Sequence, residues 1–261
     1  MPQSRISENP MSTPANAAAG TPAAPALSQV ERVVDTFVAP GKTFTDIRRS
    51  ASWWLPWLLG AMVGLAVVYM IDKKVGMDKV AENEVAMSPK ATAKLEQLPP
   101  DQRAKQMEFS VKFTDVIAYC WPVVSLIWVA LLAAVLLLTF KMGLGAEVRF
   151  WQCFAISMYA HLPGIVKGLL VMLTLQISGG ENFTFENELA SNLGALFDPN
   201  SSHFLWSIAS SIDVFNIWIL VLTGIGYSCV TRVKRGTCMG VIFGWWAAYT
   251  LGKAALGSLF G

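Results

Sequence analysis

Five long apolar stretches separated by polar segments organise the chain. Each approaches the roughly 20 helical residues that cross a hydrocarbon core. They predict membrane spans near 54–71, 116–140, 150–177, 206–230 and 238–260. Ahead of them, Val30, Val33, Val34, Phe37 and Val38 recur at helical spacing until Pro40 and Gly41 stop the run. A second short amphipathic piece carries Lys42, Phe44, Ile47, Arg48 and Arg49. Residues 29–53 are therefore expected to form short interfacial helices on the cytoplasmic membrane surface, with Lys42, Arg48 and Arg49 against lipid head groups. Residues 1–28, rich in Pro, Ala, Ser and Thr without apolar periodicity, are expected to be a disordered tail. The predicted fold is all-α: a polytopic membrane protein, in which residues 54–261 make a bundle of five transmembrane helices.

Composition supports this architecture and removes other classes. Hydrophobic residues make up 54% of the chain against 15% charged, which suits a bilayer as solvent. A net charge of +2, without a basic patch interleaved with aromatics, excludes a nucleic-acid partner. Cys120, Cys153, Cys229 and Cys238 lack CxxC spacing and lie in or beside apolar runs, where a thiol behaves as a small hydrophobe. With only His161 and His203 in addition, no metal site is expected. No secretory signal peptide is expected at the N-terminus, so the first span serves as the insertion signal.

Orientation follows from the short loops. Arg48, Arg49, Lys141, Arg149, Arg232, Lys234 and Arg235 fall on one side, while residues 178–205 contain no Lys or Arg but hold Glu181, Glu186, Glu188 and Asp198. This predicts a cytoplasmic N-terminus and an outer C-terminus, although Lys73 and Lys74 oppose it and the loop 72–115 is mixed. "WWLPW" and "YCWP" place aromatics at head-group level.

Four ionisable residues lie within the apolar runs: His161, Lys167, Asp213 and Lys253. From the helical rise, Lys167 is ~15 Å from the outer end of its helix and Asp213 and Lys253 are each ~10 Å from theirs. An isolated buried charge is costly, so Asp213 is expected to pair with Lys167 or Lys253. Alternatively each lysine snorkels outward and Asp213 bonds to hydroxyls or water. Ser207, Ser210, Asp213 and Asn216 recur every third residue, a stripe that suits either interhelical hydrogen bonding or a wet path. In "YAHLPGIVKGLL" Pro163 is expected to kink the third span, with His161 either relaying protons or bonding to carbonyls freed by the kink. Gly164 and Gly168 there, Gly60 and Gly64 in the first span, and Gly236, Gly240 and Gly244 in the fifth have the small-residue spacing that packs helices. GxSxG, HExxH, GxxxxGK[ST] and strand-linked GxGxxG patterns are absent, so neither enzymatic activity nor a cofactor is expected. Asn-x-Ser/Thr triplets stand at Asn182 and Asn200.

Three pieces carry a resemblance: "FVAPGKTFTDIRRSASWWLPWLLG", "YAHLPGIVKGLL" and "SIDVFNIWILVLTGIGYS". They resemble the Yip-domain family, the Ypt-interacting proteins and their bacterial relatives. The resemblance implies a five-helix integral membrane protein with a cytoplasmic N-terminus, in a bacterial inner membrane here. Similar eukaryotic proteins interact with Rab-type GTPases in vesicle traffic. This chain lacks the Asp-Leu-Tyr-Gly-Pro segment of those members, so GTPase binding is not carried over. Expected partners are membrane lipids and either another membrane protein or a second copy of the chain. The competing reading is a permease, channel or lipid-moving protein that uses Asp213, Lys167 and His161.

Overall fold

The computed structural model describes residues 25–197 and 202–260. Most of the 1–28 tail, Asp198 and Asn200 lie outside these residues. Twelve α-helices and no named strand occur among the described residues.

The N-terminal helices form where the amphipathic pattern places them. α1 (Gln29–Val38) opens with a capping box: Ser28 Oγ accepts from the Glu31 N–H and the Glu31 carboxylate accepts from the Ser28 N–H at 2.7 Å. α2 (Pro40–Ile47) starts on a proline, whose missing N–H would be unpaired there anyway. One face of this pair packs into the bundle. Phe44 and Ile47 are fully buried in the main core with Phe140, Phe154, Ile156 and Tyr227. Phe37 meets Trp218 edge-on at 5.7 Å between ring centroids. Trp218 lies thirteen residues before Thr231, about 20 Å up its helix, so the α1–α2 hairpin leans into the bundle. Only Val30, Val34 and Val38 keep an outward apolar stripe on α1.

Four segments are long and apolar enough to cross a membrane: Trp54–Lys74, Trp121–Gly143, Phe150–Ser178 and Val214–Thr231. α3 (Trp54–Lys74) is the first. α4 (Met77–Ala86), α5 (Pro89–Glu96) and α6 (Pro100–Tyr119) follow it, and α6 runs at Cys120 into α7 (Trp121–Leu138), which ends in a π turn at Thr139–Gly143. α8 (Phe150–Ala160) and α9 (Pro163–Ser178) share one apolar run broken at His161 and Leu162, as the proline predicts. The run expected at 206–230 is instead two helices, α10 (His203–Ser211) and α11 (Val214–Thr231), separated by Ile212 and Asp213. α12 (Arg235–Phe260) has 26 residues, long enough to cross, but is diluted by glycines and Lys253 below the apolarity of the other four.

Candidate functional site

The break before α11 explains the acid in the apolar run. Asp213 is the N-cap: its Oδ1 accepts the Phe215 N–H at 2.8 Å and the Asn216 N–H at 3.2 Å. Those donors have no partner inside the helix, and the carboxylate faces the positive end of the helix dipole. Asp213 is 2% exposed, and its Oδ2 accepts from the Ser191 hydroxyl. The periodic stripe through Ser207, Ser210, Asp213 and Asn216 is therefore not one helical face. Asn216 contributes its backbone N–H, and its exposed side chain reaches back to the Ser211 carbonyl.

Ser191 belongs to the acidic loop that follows α9, which folds back into the bundle. α9 ends on Gly179 and Gly180, both with φ near +75°, a conformation glycine adopts without strain. A Cβ at Gly180 would lie 2.6 Å from Leu175 and 2.9 Å from Val75, so the reversal also requires a bare Cα. The Asn83 side chain donates to the Glu181 and Phe183 carbonyls, and Glu84 Oε1 accepts the Phe185 N–H at 3.2 Å, fastening the loop to α4. Beyond that point Asn192 pairs with Asp213 in an isolated antiparallel bridge, with Leu193 N donating to the Ile212 carbonyl and Val214 N to the Ser191 carbonyl, each at 3.2 Å. The loop thus descends to the level of Lys167, eleven residues or about 16 Å below Ser178. Such irregular backbone is tolerated at depth when protein buries and pairs it.

The loop also selects the lysine partners. Lys167 lies 3.4 Å from Glu188 and 4.0 Å from Asp213. Lys253 pairs with Glu186 at 2.8 Å rather than with Asp213. A hollow of about 320 Å³ opens beside Glu188, lined also by Thr174, Ser178, Asn182 and Asn187. His161 stands apart: it caps α8, and its Nδ1 donates to the Ser157 carbonyl at 2.6 Å. No group of three or more His, Cys, Asp or Glu side chains suited to a metal occurs among the described residues.

The family model of the Yip1 domain matches residues 34–256. The chain belongs to the Yip1 domain family. No curated protein and no solved structure matches it.

Within the Yip1 domain, the glycines that bring helices together differ from most of those expected. Gly236, Gly240, Gly244, Gly60 and Gly164 have nothing within 4 Å of a built Cβ, so among the described residues they pack against no neighbouring helix. Gly168 lies against Val63 and Val67 of α3, Gly64 faces Trp121, and Pro163 is buried. Within α11, close approaches occur at Gly224, under Met239 of α12, and at Gly226, where a Cβ would sit 2.5 Å from Ile156 and 3.0 Å from Phe44. Their signal was present in "GIGYS", but spacing alone could not choose between them and the α12 glycines.

A buried ion pair at the start of the matched region was also missed. Arg32, 2% exposed, meets Asp46 Oδ2 through Nε at 2.9 Å and Nη2 at 2.7 Å, and donates from Nη1 to the Ser50 carbonyl. The Arg32 carbonyl accepts from the hydroxyls of Thr36 and Thr43. This network joins α1 to α2, so the valines outside and the guanidinium inside divide the amphipathic helix in a way its pattern did not reveal. Lys42, Arg48 and Arg49 are exposed.

Proposed function

We propose that this Yip1-domain protein is a non-enzymatic membrane organiser, which holds lipid and protein partners against a bundle that crosses the membrane five times. The observation that carries this reading is how Asp213 is used. Both of its oxygens are occupied by the α11 N-terminus, Ser191 and Lys167, and it is 2% exposed, as a structural tie requires and a transport carboxylate does not. α12 supplies the fifth crossing: 26 residues extend about 39 Å, more than the ~30 Å core. The N-terminus lies in the cytoplasm and the C-terminus outside, in a bacterial inner membrane, with Lys42, Arg48 and Arg49 against anionic lipid and the loop acids outside. The exposed glycines of α12 offer a close-approach surface to a membrane-protein partner or a second copy.

The hollow beside Glu188 favours a second reading, a solute path, since it touches the cluster from one side. The test is proton flux into proteoliposomes carrying wild-type protein, Asp213→Asn or Lys167→Met. Flux equal to that of protein-free vesicles supports the organiser. Flux above that background, abolished by Asp213→Asn at unchanged thermal stability, would overturn it.

A further inference from the structure

The α10–α12 seam above Asp213 contains polar atoms that the protein leaves without partners. Asn192 Oδ1, Ser210 Oγ and Thr250 Oγ1 are each buried from solvent and make no hydrogen bond among the described residues. Such a group costs free energy unless a water, ion or ligand satisfies it. Three placements bring them together. Asn192 stands directly opposite Asp213 in the antiparallel bridge, flanked rather than joined by the two backbone hydrogen bonds, the pairing in which facing side chains are closest. A Cβ built on Gly194 would lie 2.9 Å from Asn192 Oδ1 and would collide with Ser210 Oγ, so both oxygens converge on this bare Cα. On the other side, the His203 ring rests on Gly257 of α12, 3.1 Å from its Cβ position. Ser210 is seven residues beyond His203 and Thr250 seven before Gly257, two turns down each of these antiparallel helices, so Thr250, 4% exposed, comes level with Ser210 on the facing side.

Charge points the same way. Around this seam Lys253 is matched by Glu186, but Lys167 serves both Glu188 and Asp213. These ion pairs set two lysines against three carboxylates, Glu186, Glu188 and Asp213, so the group they form carries one more negative than positive charge. Oxygen donors with a single excess charge suit a small hard cation, and discontinuous membrane helices commonly supply such positions.

We propose that Asn192 Oδ1, Ser210 Oγ and Thr250 Oγ1, beside the Asp213 carboxylate, bind a monovalent cation that ties the descending loop to α10 and α12. The test is the thermal midpoint of the full-length protein in detergent, in sodium, potassium or choline chloride at equal ionic strength, which holds general screening constant. Sodium or potassium should raise the midpoint over choline by roughly 5–11 °C once the ion reaches about 100 times its dissociation constant. Ser210→Ala should lose most of this rise while leaving the choline midpoint equal or higher, because it removes an unpartnered hydroxyl. Glu188→Gln, which cancels the excess charge, should also blunt it. Equal wild-type midpoints in all three salts would overturn the proposal, as would a full sodium or potassium rise retained by Ser210→Ala. A failed variant does not rescue the idea, since the wild-type comparison alone can refute it.

Discussion

Replacing Asp213 by alanine and by asparagine separates a cap from a charge. Alanine removes the acceptor for the Phe215 and Asn216 N–H groups and leaves the Ser191 hydroxyl without its partner. An N-cap contributes ~1 kcal/mol and a buried hydrogen bond to a charged group ~2 kcal/mol, so Asp213→Ala should cost about 3 kcal/mol. Asparagine caps as well as aspartate, and a hydroxyl can donate to its amide oxygen or accept from its nitrogen. What it loses is the attraction to Lys167, which at 4.0 Å, 25% exposed and shared with Glu188, is worth at most ~1 kcal/mol. In a chain of this size the alanine variant should melt roughly 6–12 °C lower and the asparagine variant within roughly 4 °C of wild type. Thermal unfolding in detergent, followed by helical circular dichroism, measures both. Equal losses would refute the reasoning, because they would make the charge rather than the cap the reason for an acid at this position.

Three further predictions address other parts of the fold. Arg32→Met leaves Asp46 buried and unpaired and should cost 3–5 kcal/mol by the usual ~3–5 kcal/mol of a half-broken buried pair, with Asp46→Leu added in the same chain restoring much of it; a double variant no better than the single would sink this account. Gly226→Ala should lower stability by about 1–3 kcal/mol through contact with Ile156 and Phe44, whereas Gly240→Ala, open around its Cβ, should be neutral or slightly stabilising in the isolated monomer; the reverse order in melting experiments would contradict the packing described. Burial raises the pKa of Glu84 above its ordinary value, the Phe185 N–H opposes this, and Glu186 adds to it. The folded state therefore holds the proton more tightly than the unfolded chain, and stability declines as pH rises from the unfolded value through the folded one. Glu84→Gln should stabilise the protein at neutral pH and lose that advantage in acid below the unfolded pKa; a pH-independent difference would refute it.

Local chemistry determined much of this protein before any folding was considered. The apolar runs, the Ser28–Glu31 capping box, the start of α2 at Pro40 and the break before Pro163 depend on residues within a turn or two of each other, and all can be read along the chain. The family resemblance was legible for the same reason, as it rests on proline, glycine and aromatic placements along the chain. Tertiary structure decided what distant segments settle between them. The run from Trp206 to Val230 looks continuous because one acid hardly lowers its hydrophobicity, and its division at Asp213 depends on Ser191 and Asn192 arriving from a loop twenty residues away. Lys167 and Lys253 were comparable partners by depth, but the path of that loop brought Glu188 to one and Glu186 to the other. Phe44 is buried rather than spread on a lipid surface because Gly226, far along the chain, leaves room for its ring. A helix follows from short-range hydrogen bonding and periodicity, whereas the partner of a buried charge follows from which surfaces the whole chain brings into contact.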